Sequence, residues 1–256
     1  MEGVSIIIPI AGETNLEKLL NSINYDLYEL IIVGNNIDKS ILTRYRINFI
    51  KIDVNRSEAR NIGAINARNE YLLFLDSDME LTNNFIESAI NNIKNFDALI
   101  FPEITVGNSI IAKGRRFERA GLYKTLYYEA PRMIKKDVFI NLGGYNEELN
   151  AFEDLDLTRK LLNDNFKMGW SDNIIIHHEE DVNLFNYIRK RINYTKNNKK
   201  IFLNNDAIFF KQVIKLKNRY NAFINSIRIY KLKSIYYLPS YLMVTLINVF
   251  TFMIIK

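Results

Sequence analysis

The sequence predicts an α/β fold: a mostly parallel sheet with helices on both faces, followed by a C-terminal helical region. Three observations carry this. Short apolar runs alternate with helical patterns through the first half of the chain. From Val182 to about Lys233 the pattern turns helical, basic and aromatic. From Ile235 to Ile255 no residue is charged. Strands that alternate with helices need crossover connections, and these cover a parallel sheet on both sides.

Each element follows from its residues. "VSIIIPI" is rich in β-branched residues and predicts a buried strand ended by Pro9. Leu16, Leu19, Leu20 and Ile23 recur at helical spacing, and "YELIIVG" is a second strand closed by Gly34-Asn35-Asn36. "INFIKID" is a third. Ser57 reads as the N-cap of a helix that runs through Ile62 and Ile65 to about Ala67. "YLLFL" is a fourth strand, Phe85 to Ile93 a helix, and "ALIF" a further strand. The stretch "GNSIIAKGRRFERAGLYKTLYYEAPRMI" reads as loops with short strands. "KKDVFINLGGY" is a short helix stopped by Gly143-Gly144, and another helix runs from about Glu153 to Asn163. "FKMGW" and "NIIIHH" are short strands. Domain limits of 1–180, 181–233 and 234–256 follow.

Composition narrows the function classes. Hydrophobic residues at 48% and charged residues at 25% suit a folded chain, not a disordered one. With no cysteine, disulfides and thiolate metal sites are excluded. The 34 Lys+Arg against 29 Asp+Glu leave +5, crowded between Arg189 and Lys233. Such a patch suits anionic lipid or a phosphorylated substrate, and with no nucleic-acid-binding signature beside it no nucleic-acid partner is expected. "MEGVSIIIPI" does not read as a signal peptide. A 21-residue uncharged helix would just cross a hydrocarbon core of ~30 Å, and Arg228, Lys231 and Lys233 before it favour a cytosolic main domain. The alternative is a buried or interfacial amphipathic helix.

Ligands of such sheets bind beyond the carboxyl ends of the strands, where Pro9 to Glu13, Gly34 to Asn36 and Asp76 to Asp78 all fall. Asp76-Ser77-Asp78 ends an apolar strand on two carboxylates, a costly arrangement unless a cation meets them. Mg²⁺ takes one or two carboxylates plus substrate phosphates, whereas loop solvation or capping is the bland alternative. Glu153-Asp154-Leu155-Asp156 places three acids near a helix start, where negative charge is stabilising in any case and where a general base would also suit. His177 and His178 are the two histidines of the chain; one ring points inward and the other outward, as a metal ligand or a hydrogen-bonded core residue. Arg56, Arg60 and Asn61 open a helix, which suits phosphate or a solvated face.

In order, these motifs resemble the family 2 glycosyltransferases, from Val4 to about His178. The carrying stretches are "VSIIIPIAGETNLEKLLNSI", "YELIIVGNN", "SEARNIGAINARNEYLLFLDSD" and "KKDVFINLGGYNEELNAFEDLDLTRKL". The resemblance implies a GT-A-like (Rossmann-like) fold and an inverting, metal-dependent transfer from a nucleotide-diphosphate sugar, UDP- or GDP-linked, to a hydroxyl or lipid-linked glycan acceptor. It implies Mg²⁺ or Mn²⁺ on Asp76 and Asp78, with Asp78 the more direct ligand and His177 or His178 a further one. Asp154 would be the catalytic base with Glu153 its neighbour. Pro9, Glu13, Asn35, Asn36, Arg60, Asp76 and Ser77 would form the donor side, with Ser77 spacing the aspartates. Gly143, Gly144 and Tyr145 would shape the acceptor side. The family usually places an acid after the second strand, and Gly34-Asn35-Asn36 departs from that. With the uncharged tail, the expected location is the cytoplasmic face of the cell membrane. The competing readings are a polyprenyl-phosphate glycosyltransferase, a sugar-phosphate nucleotidyltransferase, for which "PIAGETN" is a poor phosphate loop, and a non-catalytic membrane-bound binding module.

Overall fold

A computed structural model describes residues 3–11, 16–24, 26–124, 130–149, 151–179, 182–205 and 216–254. The chain divides into two compact units. The first comprises 1–101 and 130–175, the second 102–129 and 176–256. Residues 102–129, which the sequence places in the first domain, therefore group with the C-terminal helices.

The first unit is a seven-stranded sheet. Its strands are β1 (Val4–Ile10), β2 (Glu29–Gly34), β3 (Asn48–Lys51), β4 (Tyr71–Phe74), β6 (Ala98–Ile100), β8 (Pro131–Lys135) and β9 (Met168–Trp170), in the order β3-β2-β1-β4-β8-β6-β9. Only β8 runs antiparallel to its neighbours. The fold is α/β, with a mostly parallel sheet, as expected. A short strand after the aspartates, β5 (Met79–Leu81), was not legible in the sequence.

Strand alternation sorts the core into two layers. Ile6, Ile8, Ile32 and Leu73 pack on one face with α1 (Leu16–Asn21), α2 (Lys39–Arg44) and α4 (Phe85–Ile93). Ile7, Ile31, Leu72 and Phe74 pack on the other with α3 (Arg56–Asn66), α6 (Lys136–Asn141) and α7 (Glu153–Asn163). The expected helices on both faces are present. Gly143 and Gly144 follow α6 at φ +73° and +66°, the left-handed stop that the sequence predicts.

Two local expectations change. Pro9 does not end β1, which continues to Ile10. Ile7 accepts from Leu75 on the β4 side, so Pro9, two residues on, turns its missing N–H to that side, where the β4 ladder has already ended at Ile7–Phe74. The N-cap of α3 is Asn55, whose side chain accepts from the Glu58 amide, and not Ser57. Ser57 is two residues too far in, and its hydroxyl donates to the Leu149 carbonyl at 3.0 Å.

In the second unit, β7 (Glu103–Val106) lies beside β10 (Ile175–His178). The helices are α5 (Ile110–Leu122), α8 (Leu184–Asn205), α9 (Leu216–Tyr230) and α10 (Ser234–Ile254), with a 3-10 turn at Lys231–Lys233. Helix α5 replaces the loops expected there. Its inward stripe is Ile111, Gly114, Phe117 and Gly121, so half of it is glycine and invisible to a search for apolar periodicity. The glycines let backbones meet: a Cβ on Gly114 would fall 2.6 Å from the Ser240 carbonyl oxygen of α10, and one on Gly121 would collide with the Ala222 carbonyl of α9. The Ser226 hydroxyl donates to the Phe117 carbonyl at 2.6 Å across the same crossing.

Among the described residues no helix is long and apolar enough to cross a membrane. This includes α10, for which the sequence left a spanning or a membrane-lying role open. Polar groups inside α10 lower its hydropathy, and Ser240 and Thr251 are buried against protein.

Gly121→Val should destabilise the protein by about 1–3 kcal/mol, because the added side chain must force α5 and α9 apart. Urea unfolding of the variant against the parent measures it, and Asn221→Ala, at an exposed position of α9, serves as a helix-surface control.

Candidate active site

The site of the first unit is built at the carboxyl edge of its sheet. The register Ile10–Gly34 and Gly34–Lys51 brings the ends of β1, β2 and β3 to one rim, and β4 adds Asp76 to Asp78. After Leu75 the chain turns sharply, with the Met79 amide donating to the Asp76 carbonyl at 3.1 Å. Ser77 faces inward and is buried, while Asp76 and Asp78 are partly exposed.

Arg60 occupies the centre. Its side chain is 2% exposed, on α3. One guanidinium nitrogen donates to Asp76 Oδ1 at 2.6 Å and the other to Glu153 Oε1 at 2.9 Å. The Tyr145 ring lies against it, 5.2 Å from its centroid. Burial alone would lower the Arg60 pKa; Asp76, Tyr145 and Glu153 more than offset that and push it up, so the group stays charged. Arg60 is thus enclosed by carboxylates instead of being presented to a diphosphate, because its helix aims it under the rim.

The three acids of α7 separate by their partners. Glu153 is buried on Arg60. Asp156 is buried on Arg159 of its own helix, at 2.7 Å. Asp154 is partly exposed and has no ion pair among the described residues; its Oδ1 accepts from the Leu155 amide at 2.9 Å. Burial and then the neighbouring Glu153 raise the Asp154 carboxyl to about 6, against a smaller opposing pull from Arg132 and Arg60. Phe152, at φ +66°, sets the turn that starts the helix, a conformation uncommon for a bulky residue.

The start of α3 also grips the segment before α7. The Asn61 side-chain amide donates to the Tyr145 carbonyl and accepts from the Tyr145 amide, both at 2.9 Å, and donates to Glu147 at 2.8 Å. Asn55 donates to the Glu147 carbonyl at 2.9 Å. Tyr145 is buried in an edge-on cluster with Phe74 and Phe139, so it supports the site from below and does not face an acceptor.

The remaining expected residues divide. Pro9 is buried within β1, and Glu13 lies outside the described residues. Asn36 is exposed at the rim; Asn35 is half-buried and donates to Asp53 Oδ1 at 2.9 Å. In the second unit, His177 Nδ1 lies 2.8 Å from Arg119 Nη1. A guanidinium can only donate, so this nitrogen accepts. Arg119 also pairs with Glu103 and Glu179, at 3.4 and 3.6 Å. His178 takes the opposite face of β10. Two residues were missed by sequence reasoning. Arg132 of β8 places a guanidinium nitrogen 3.3 Å from Asp76 Oδ2, and Asp53 follows β3 at the rim. The signal for Arg132 was available: a charged residue inside the apolar strand "PRMIK" poses the question that Asp76 posed.

A model of glycosyl transferase family 2 matches residues 5–146, more than half of the chain, and the chain belongs to that family. A protein of Haemophilus influenzae described as an uncharacterized glycosyltransferase is 25% identical over 181 residues, which are 62% of this chain and 62% of that protein. Residues 1–349 of S. aureus TarS in complex with UDP-GlcNAc match with a TM-score of 0.57 at 18% identity, over 94% of this chain and 79% of that one. The longer TarS chain matches at 0.54 and 16%, over 75% of this chain and 39% of its own length. At these identities the likeness to TarS shows the fold.

Arg60→Met should cost about 3–5 kcal/mol, because Asp76 and Glu153 would keep their burial and lose their shared cation. Denaturant unfolding tests this. Arg132→Met, farther from Asp76, should cost clearly less.

Proposed function

We propose that the protein transfers a sugar from a UDP-sugar to an acceptor hydroxyl with inversion, using Asp154 as the general base. One observation carries the reading: of the three acids opening α7, Asp154 alone is left without a cation among the described residues, partly exposed at the site. Its carboxylate would take the acceptor proton while the hydroxyl oxygen bonds to the anomeric carbon. The bond from that carbon to the nucleotide diphosphate breaks as the new one forms, with the leaving group keeping the electron pair. Glu153 and Arg60 act as positioning residues. They fix the start of α7 against the end of β4, so the base and the aspartates keep one geometry.

The donor class is supported by family membership and by the UDP-GlcNAc and UDP complexes of TarS. Directly after β2 this chain has Asn35 and Asn36 where the family usually places an acid, and Asp38 beyond them caps α2. We infer that Asp53, carried to the same rim by β3 and bonded to Asn35, supplies the acceptor for a base N–H.

A divalent cation, Mg²⁺ or Mn²⁺, fits one residue better than two. Both oxygens of Asp76 meet guanidinium groups, whereas Asp78 is partly exposed at the turn. Among the described residues no three His, Cys, Asp or Glu side chains gather as a metal cage. One carboxylate completed by substrate phosphates is the usual Mg²⁺ arrangement, so Asp78 would hold the ion and Asp76 would border it. When bound, the cation offsets the charge that develops on the diphosphate.

Asp154→Asn should lower kcat about 10²–10⁴-fold while UDP binding stays within a few-fold of the parent. Near-native turnover would remove Asp154 from the base role. The base works as a carboxylate, so kcat/KM should fall as pH drops through about 6, the value to which Asp154 is raised, and level off above it. Thermal shift with UDP and GDP, each with and without Mn²⁺, tests the donor: UDP should stabilise the parent more than GDP does, and Asp53→Ala should reduce the UDP shift.

A further inference from the structure

Helix α10 is turned inside out relative to a helix of a water-facing surface. Towards α5 and α8 it buries Ser234, Ser240, Val244 and Thr251. Asn248 accepts a hydrogen bond from the Tyr187 hydroxyl at 2.9 Å. The small residues are inside because α5 approaches so closely at Gly114. The large apolar residues are left outside: Leu232, at the 3-10 turn, then Ile235, Tyr236, Leu242, Leu246 and Phe250, exposed by 50% to 85%. Ile235 and Tyr236 follow Leu232 by three and four residues, Leu242, Leu246 and Phe250 recur every four, and the exposed Pro239 bridges the gap between, which puts them on a single stripe.

Single exposed apolar residues are ordinary, but a continuous stripe of this length marks a surface that meets an apolar phase. Its charge pattern selects the occupant. Arg228, Lys231 and Lys233 are exposed at the amino end of the stripe, and Lys113 lies over the Tyr236 ring at 4.7 Å from its centroid. No acidic residue falls between Arg219 and Lys256. A second copy of this chain meeting the same end would bring cations against cations. A bilayer with anionic headgroups offers both the apolar layer and the opposite charge, and aromatic and basic side chains suit its boundary.

We propose that α10 lies in the surface plane of an anionic membrane, its Leu232-to-Phe250 stripe inserted among the acyl chains and Arg228, Lys231 and Lys233 on the headgroups. The proposal concerns a lying helix and not a spanning one, which agrees with the polar groups it buries against protein. It stands on the second unit alone and does not depend on the donor chemistry.

Co-sedimentation of the full chain with phosphatidylcholine vesicles, with and without phosphatidylglycerol, tests it. The parent should bind the anionic vesicles and bind neutral ones weakly. The triple variant Leu242→Ser, Leu246→Ser, Phe250→Ser should lose at least tenfold in binding, with its melting temperature without vesicles little changed, because those side chains are half or more exposed and lie outside the packed clusters. Lys231→Gln and Lys233→Gln should each weaken binding to anionic vesicles about fivefold and leave neutral vesicles unaffected. Failure of the parent to sediment with either vesicle would overturn the proposal. So would equal binding by the serine variant, or a parent dimer that the serine variant dissociates without any vesicle binding. UDP thermal shift on the same samples separates this outcome from a failure of the transferase reading.

Discussion

The buried guanidinium of Arg60 is the constraint on which the site depends. It joins the end of β4, through Asp76, to the start of α7, through Glu153, which lies 93 residues further along the chain than Arg60. Each group alone would be expensive to bury. Together they balance, and the Tyr145 ring closes the side that has no carboxylate. A charge network of this kind adds little net stability over a packed apolar cluster, but it permits one arrangement. Sliding α7 along the sheet would strand a charge.

That arrangement decides which acid is left for chemistry. Glu153 and Asp156 are consumed by Arg60 and Arg159, and Asp154 is not. Asn55 and Asn61 of α3 then hold the backbone from Tyr145 to Glu147, so the segment entering α7 is fixed by the same helix that carries Arg60. One helix, α3, therefore sets the position of both the rim and the base. Its amino end, which suits phosphate in principle, is spent on this task.

The second unit follows a different economy. Helix α5 uses glycine at Gly114 and Gly121 to bring α9 and α10 into backbone contact. Close crossing needs small residues, so the large apolar side chains of α10 have no room inside and face outward. The uncharged tail is thus explained without a helix that crosses a membrane. Its apolar content belongs to the outer face, and its polar content to the packing.

The amino-acid sequence by itself determined the α/β class, the sheet with helices on both faces, the family, and the delivery of Asp76 and Asp78 to the rim. These depend on periodicity and on local motifs, which are written along the chain. It also carried the helix from Glu153 to Asn163 and the stop at Gly143-Gly144. Only the tertiary structure decided how the acids at α7 divide, why Arg60 is enclosed, that Arg132 joins Asp76, and that His177 belongs to Arg119. Each of these depends on which side chains meet across more than 50 residues of sequence, or on which face of a strand a residue takes. Helix α5 and the outward stripe of α10 were hidden for a related reason. Their packing rests on glycine and serine, and such residues signal a contact only once the partner helix is in place.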